Sequence, residues 1–148
     1  MDDNTMAAML LGLGFFVIIL GAAWFILRAI ADWQIFKKAG IPGWHALIPF
    51  LNTYDEYALS WNGTFGLIAA ALGAAVMLMP SGDDVSSAVT ALSGLMGLVS
   101  LILTAIQSGK LARAFGKGTG FGVGLFFLQN IFRLILAFGD AEYQGPQN

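Results

Sequence analysis

Apolar residues fill four stretches of the chain, and short polar segments separate them. The four stretches cover residues 6–27, 64–79, 85–106 and 121–138. A bilayer core about 30 Å thick needs roughly 20 apolar residues at 1.5 Å of helical rise each, so these lengths are typical of membrane-spanning helices. The second stretch is short and stops at Pro80, so we expect it to stand upright or to thin the bilayer. The pattern predicts an all-α integral membrane protein, a single transmembrane domain over residues 1–148 with four spans.

The segment between the first two spans, residues 33–61, mixes apolar, aromatic and acidic side chains. We expect the first helix to continue to Ala39, with Lys37 and Lys38 in its last turn and Gly40 as its C-cap. The remainder is interrupted at Pro49. This composition predicts a kinked segment that lies in the plane of the lipid headgroups.

Basic residues collect on one side of the predicted bundle. Six of the seven lie in the two longer loops: Arg28, Lys37, Lys38, Lys110, Arg113 and Lys117. The opposite side carries only acids: Asp2, Asp3, Asp83, Asp84, Asp140 and Glu142. Because cytoplasmic loops retain Lys and Arg, this asymmetry predicts both longer loops in the cytoplasm and both termini outside.

A cleaved signal peptide is the alternative for the first stretch, since Ala29-Ile30-Ala31 has the small-x-small form of a cleavage site. Asp2 and Asp3 stand where a basic leader is usual, and the apolar stretch exceeds the 7 to 15 residues of a signal core. These features favour a membrane anchor.

Composition excludes several kinds of site. The chain is 57% hydrophobic and only 11% charged, and its net charge of -2 offers no basic surface, so we expect no nucleic-acid partner. It has no cysteine and one histidine, His45, which excludes thiolate sites and an all-histidine metal site. We expect neither a metal nor another cofactor.

The third span carries a stripe of small and polar residues at alternating steps of four and three. Its members are Ser86, Thr90, Ser93, Gly97, Ser100, Thr104 and Gln107. That spacing keeps them on one helix face, where small residues allow close helix packing and hydroxyls bond across helices. A water-lined path built from several copies is the other interpretation.

The fourth span contains Gln129, Asn130 and Arg133, which are neighbours on a helix surface. An arginine within a span costs about 2.5–3.5 kcal/mol on insertion scales, so we expect it to have a partner. The candidates are Gln107, Asp140, Glu142 and a lipid phosphate. The predicted intramembrane polar cluster comprises Ser93, Ser100, Thr104, Gln107, Gln129, Asn130 and Arg133.

Glycine-bearing turns followed by an aromatic residue recur three times on the predicted cytoplasmic side. They are Gly40 to Trp44, Asn62 to Phe65 and Gly116 to Phe121. Glycine permits a sharp re-entry, and the ring settles at headgroup level. The turns also supply the predicted contacts to lipid headgroups: Lys37, Lys38, Trp44, Lys117, Gly118 and Thr119.

The sequence contains partial matches to three catalytic motifs, and none of them is complete. Ala91-Leu92-Ser93-Gly94 resembles the rhomboid nucleophile site, but its first glycine is alanine and no span contains a histidine to act as base. Ala137-Phe138-Gly139-Asp140 resembles the aspartyl intramembrane protease motif without its first glycine. A Ser-Lys dyad of the signal-peptidase type would need both residues on the predicted outer side, where the chain has no lysine. We therefore expect no enzymatic activity.

Two longer stretches, Trp33 to Tyr54 and Leu111 to Gly122, together with the ending Phe138 to Pro146, are similar to a family of small bacterial multi-span membrane proteins classed as a domain of unknown function. Some of its members are loosely labelled signal peptidase I. The resemblance implies a bacterial cytoplasmic membrane and no established activity. The chain departs from the family at Ser60-Trp61-Asn62-Gly63 and in the acidic Asp83-Asp84 loop.

The features together favour a small membrane protein that acts by binding. The expected partners are membrane lipids and either another membrane protein, to which the chain is an accessory subunit, or further copies of itself. A pore or small-solute transporter made of several copies, with Ser93, Ser100, Thr104, Gln107, Asn130 and Arg133 facing the path, is a second hypothesis. A lipid-binding or membrane-remodelling protein is a third.

Overall fold

Helices dominate the structure, a computed structural model that describes residues 2–148. The six helices are α1 (Asp3–Lys38), α2 (Pro49–Ser60), α3 (Gly63–Leu78), α4 (Ser87–Ala114), α5 (Thr119–Phe127) and α6 (Gln129–Phe138). A 3₁₀ turn, Gly43–Leu47, precedes α2, and residues 2–148 contain no strand. Helices α1 and α4, with 36 and 28 residues, are long and apolar enough to cross a membrane. The predicted all-α class is confirmed, with two helices of spanning length where four were predicted.

Local chemistry sets several helix ends where the sequence places them. α1 ends at Lys38, and the chain leaves it through Gly40, whose φ of 76° favours glycine. At the start of α4, the Ser86 hydroxyl accepts a hydrogen bond from the Val89 amide and so caps the helix. α3 begins with the same kind of cap, because the Asn62 side chain accepts from the Thr64 amide.

Residues 40–60 form a first hairpin that folds back along α1. Gly43 lies against the indole ring of Trp33, where no Cβ would fit. Further along the turn, Leu47 shares an apolar pocket with Phe25 and Ala29 of α1. The chain reverses at Ile48, and Pro49 begins α2, consistent with proline's preference for the first helical turn. The segment therefore bends next to the predicted break at Pro49. Its first arm packs along α1, and after Ile48 the chain turns back in α2.

Residues 119–138 form a second hairpin, where a single span over 121–138 was predicted. α5 and α6 are separate helices of 9 and 10 residues that meet at Leu128. At 1.5 Å per residue each is about 15 Å long, half of a bilayer core. α6 returns alongside α1 in the same direction: Gln129 contacts Arg28, and Lys38 donates to the carbonyls of Leu136 and Gly139 at the end of α6.

The C-terminal tail packs beside the end of α4. The backbone N–H of Gln144 donates to the Ala114 carbonyl (2.7 Å), and the Tyr143 hydroxyl donates to the Leu59 carbonyl (2.7 Å). The Lys110 ammonium donates to the Gln147 carbonyl. The tail and the 107–120 segment thus lie at one end of the molecule, whereas the prediction placed them on opposite membrane surfaces. The difference follows from the break at Leu128, which returns the chain to the end from which α5 started.

A hydrophobic core joins the two long helices to the two hairpins at this same end. Its buried members come from every described helix except α3: Ala31, Ile35, Phe36, Ala46, Leu59, Leu111, Ala112, Ala114, Phe115, Leu125, Leu136, Ala137 and Ala141. By contrast, every residue from Asp2 to Leu27 is exposed. The fold is therefore a packed helical unit from which one apolar helix and the α3–α4 pair extend.

The chain repeats one architecture twice. Each half is a long helix followed by a hairpin whose second helix packs against the long helix of the other half: α6 against α1, and α2 against α4. Gly40 and Gly116, with φ of 76° and 69°, open the two hairpins. The chain reverses at Ile48 in the first hairpin and at Leu128 in the second. α3 has no counterpart among residues 2–148.

Candidate functional site

An ion cluster lies where the two hairpins and α1 meet, and Arg133 of α6 is its centre. Its guanidinium donates to Asp32 of α1 (Nη1 to Oδ1, 2.6 Å) and to Glu56 of α2. Arg133 is 1% exposed and Asp32 is 2% exposed, so this pairing is shielded from the surroundings. Two carboxylates thereby neutralise an arginine that would otherwise be costly to bury.

Two further polar side chains bind Glu56 into the cluster from the side of α4. The Gln107 amide nitrogen donates to Glu56 Oε1 (3.1 Å) and lies 3.4 Å from the Ser60 hydroxyl. Ser60 in turn donates to the Glu56 carbonyl (2.7 Å). The same carboxylate oxygen therefore accepts from both Gln107 and Arg133, which connects α2, α4 and α6.

Arg28 extends the cluster along α1 towards the tip of the second hairpin. Its guanidinium lies 3.6 Å from Asp32 and donates to the amide oxygens of Gln129 (3.2 Å) and Asn130 (3.5 Å). The Arg28 side chain is 38% exposed, unlike Arg133. Two arginines and two carboxylates give this group no net charge.

The expected partners of Arg133 differ from those found. Asp140 and Glu142 are exposed and lie in the tail, away from the guanidinium's hydrogen bonds. Gln107 belongs to the cluster, although it reaches Arg133 only through Glu56. Asp32 and Glu56 lie outside the apolar stretches, around the segment that the hydropathy pattern assigned to the membrane surface. Each hairpin contributes one member of the Glu56–Arg133 pair, and no spacing in the sequence indicates that the two residues meet.

The predicted polar stripe on α4 divides into two parts. Ser93 donates to the carbonyl of Thr90 within its own helix (2.9 Å), and Thr104 donates to that of Ser100 (2.8 Å). Ser100, Thr104 and Gln107 face a cavity of about 460 Å³ between α2, α3 and α4, which Gln129 also lines. Ser93 does not line this cavity. The C-terminal part of the stripe, Ser100 to Gln107, therefore borders open space on the side of the cavity.

The predicted headgroup contacts lie at the packed end of the molecule. Lys37, Trp44, Gly118 and Thr119 are exposed. Lys38 is partly buried, and its ammonium donates to two carbonyls at the end of α6. The Lys117 ammonium lies 5.9 Å from the centre of the Phe121 ring.

A second polar pair, which the sequence pattern does not indicate, closes the first hairpin. His45 Nδ1 lies 2.5 Å from Asp55 Oδ2, and both side chains are largely buried. The pair fixes the 3₁₀ turn against α2. Among residues 2–148, no group of three His, Asp or Glu side chains is placed to hold a metal ion.

Burial also changes the acidity of the tail. It raises the pKa of the Tyr143 hydroxyl, which donates to Leu59. The neutral phenol is therefore the form that the docked tail favours.

Residues 44–146 match a family described as a family of unknown function (DUF5684). The match covers more than half of the chain and includes most of the first hairpin, α3, α4 and the whole second hairpin, with Glu56, Gln107 and Arg133. No curated protein and no solved structure matches the chain.

Proposed function

We propose that this chain, which belongs to the DUF5684 family of unknown function, is a membrane protein that acts by binding, as an accessory subunit of another membrane protein. One observation carries the proposal: α1 is apolar, yet every residue from Asp2 to Leu27 is exposed. A helix that is surrounded by lipid on every side is free to pair with a helix of a partner.

The repeated architecture indicates where a partner helix fits. α3 packs against α2 and α4. The corresponding place in the other half is bounded by α6 and α1, and no helix within residues 2–148 fills it. Ile131 and Ile135 of α6, one helical turn apart, are exposed.

Small residues line one face of α1, on the N-terminal side of the position beside α6. Ala7, Gly14 and Gly21 are spaced by seven residues, which keeps them on one side of a helix. A Cβ built at Gly14 or Gly21 meets nothing within 4 Å, so the chain leaves this face open. Such a face allows the backbone of another helix to approach closely.

The charge of Arg28 favours a helix of a different protein, and not of a second copy of this chain, as the partner of α1. Arg28 lies at the base of this face, 38% exposed, while the nearest carboxylate, Asp32, is bonded more closely to Arg133. A partner helix with Asp or Glu at this depth adds a second carboxylate contact on the exposed side of Arg28. Residues 4–31 and helices α3 and α4 contain no Asp or Glu, so a second copy of these helices lacks that group.

We also propose how the molecule is oriented in the membrane. Lys37, Lys38, Lys110, Arg113 and Lys117 all lie at the packed end, which by the distribution of positive charge faces the cytoplasm. Both hairpins then enter the bilayer from the cytoplasmic side, and the tail remains on that side.

Site-specific photocrosslinking in cells tests the partner face. A photoreactive amino acid at Val17 points beside Gly14 and Gly21, whereas one at Ile19 points to the opposite side of α1. We expect a crosslinked product from Val17 and none from Ile19. Its peptide should belong to a membrane-spanning helix that carries Asp or Glu. Arg28→Gln should reduce the product about tenfold, because a charge-assisted hydrogen bond contributes roughly 1.5–3 kcal/mol.

Two results contradict this assignment. Equal crosslinking from Val17 and Ile19 means that α1 has no preferred face. A product formed by two copies of the chain means that the open face serves self-association.

Binding, not catalysis, is the activity we propose. The Ser93 hydroxyl donates within its own helix, and the His45 ring pairs with Asp55, so neither activates the other. We do not propose the oligomeric pore, because it requires Arg133 to face a path between copies, whereas two carboxylates of the same chain enclose it.

A further inference from the structure

The cavity between α2, α3 and α4 has one polar side and one apolar side. Its apolar wall is formed mainly by small residues of α3: Ala69, Ala70, Gly73 and Ala74. The polar wall is formed by Glu56, Ser100, Thr104, Gln107 and Gln129. A volume of about 460 Å³ lies within the range of roughly 300–1,000 Å³ that is usual for small-molecule sites.

Several polar atoms on this wall have bonding capacity left. The Ser100 hydroxyl is buried and has no hydrogen-bond partner within residues 2–148. Glu56 receives both of its side-chain hydrogen bonds at Oε1, which leaves its other oxygen unoccupied in the described part of the chain. Buried polar groups normally find partners, so the Ser100 hydroxyl indicates a ligand that supplies one, and the second Glu56 oxygen is available to accept from the same ligand.

The charge on the cavity wall limits the chemical class of ligand that the cavity can bind. Among the described residues, Glu56 is the only charged side chain that lines the cavity, and it is 12% exposed. A carboxylate accepts hydrogen bonds and repels anions. An amine or a hydroxyl therefore suits the polar wall, while the Ala and Gly wall suits a hydrocarbon chain.

We propose that this cavity binds an amphiphile from within the bilayer, with a hydrogen-bond-donating amine or hydroxyl head beside Glu56 and Ser100 and an apolar body along α3. The site is separate from the open face of α1, so it is independent of the partner assignment.

Cysteine protection in phosphatidylcholine nanodiscs tests the site, because the chain has no cysteine of its own. Ser100→Cys is labelled with N-ethylmaleimide in the presence of dodecylamine, dodecan-1-ol or dodecanoate. We expect the amine and the alcohol to slow labelling about tenfold at saturation, and the carboxylate to have no effect. Leu98→Cys, at a position that is 53% exposed on the same helix, is the control and should be unaffected.

A filling substitution separates binding in the cavity from general partitioning into the nanodisc. Gly73 lines the cavity, and a Cβ there meets nothing within 4 Å, so Gly73→Leu enters open space without displacing the helix. It should abolish protection. Gly94→Leu, at an equally open glycine outside the cavity, should preserve it.

Glu56→Gln, followed by native mass spectrometry with and without dodecylamine, tests the head group. The substitution should weaken dodecylamine binding about tenfold more than dodecan-1-ol binding, since only the amine is charged. Three results would each overturn the proposal: protection by dodecanoate, protection that survives Gly73→Leu, or a Ser100→Cys variant that does not react even without a probe.

Discussion

Arg133 shows how one residue fixes the positions of three helices. Its guanidinium connects α6 to Asp32 of α1 and to Glu56 of α2, within a site that is almost fully buried. An arginine inside an apolar segment indicates a need for partners, and that need was predictable from the sequence alone. The partners were not, because Asp32 and Glu56 lie beyond the apolar stretches and hydropathy gives no information about chain reversals.

Removing the guanidinium should destabilise the protein strongly. Arg133→Met leaves the two carboxylates buried without a cation, and breaking such a pair costs about 3–5 kcal/mol. Unfolding by dodecyl sulfate in mixed micelles measures the change. Arg113→Met, at an exposed position near the end of α4, should change the free energy of unfolding by less than about 0.5 kcal/mol.

The pairing itself is tested by a double-mutant cycle. Once Glu56→Gln has removed one carboxylate, Arg133→Met should cost less than it does in the unmodified chain. Additive effects of the two substitutions would show that the residues do not interact, contrary to the structure.

At the scale of the elements, the sequence predicts what local chemistry controls. α1 ends at Lys38, within one residue of the predicted Ala39, and α3 lies within one residue of the predicted 64–79, so both follow from capping and hydropathy. The division of 121–138 into two helices does not. Two half-length helices and one span have the same apolar content, so the break at Leu128 depends on polar contacts that only the fold creates.

Two glycines of α5 provide a matched test of the second hairpin. A Cβ at Gly122 would lie 2.9 Å from Gly109 Cα of α4, whereas a Cβ at Gly120 meets nothing within 4 Å. Gly122→Ala should therefore destabilise the protein by about 1–3 kcal/mol through overpacking. Gly120→Ala should stabilise it by up to about 1 kcal/mol, because alanine favours the helix.

Unfolding of both variants in mixed micelles gives the comparison directly. If Gly122→Ala is as stable as Gly120→Ala, α5 does not pack against α4 as described, and a continuous span over 121–138 regains support.

The whole molecule has an unequal distribution of mass and charge along its long axis. One end holds the core, both hairpins, the tail and most of the basic residues, while the other holds the start of α1 and the α3–α4 connection with Asp83 and Asp84. The sequence predicts the basic residues at one end and the Asp83-Asp84 loop at the other. It places the tail at the opposite end from residues 107–120 because it treats 121–138 as one helix, whereas two helices return the chain to the end at which α5 begins.

Single-cysteine labelling tests this arrangement. Lys117→Cys and Asn148→Cys should react with a membrane-impermeant maleimide from the same side, the cytoplasmic one, and Asp83→Cys should react only from the other. Inside-out vesicles and intact spheroplasts expose the two surfaces in turn. Labelling of the Lys117→Cys and Asn148→Cys variants from opposite surfaces would restore the four-span topology.

The pairing of Glu56 with Arg133 has a consequence for how such a molecule is built. Glu56 belongs to the first hairpin and Arg133 to the second, so the two hairpins bring opposite charges to the place where they meet. If the two hairpins were identical in sequence and related by a two-fold axis, a side chain at the axis would meet its own copy, and two glutamates or two arginines would repel there. Two unlike hairpins within one chain avoid this repulsion and place opposite charges at a single buried contact.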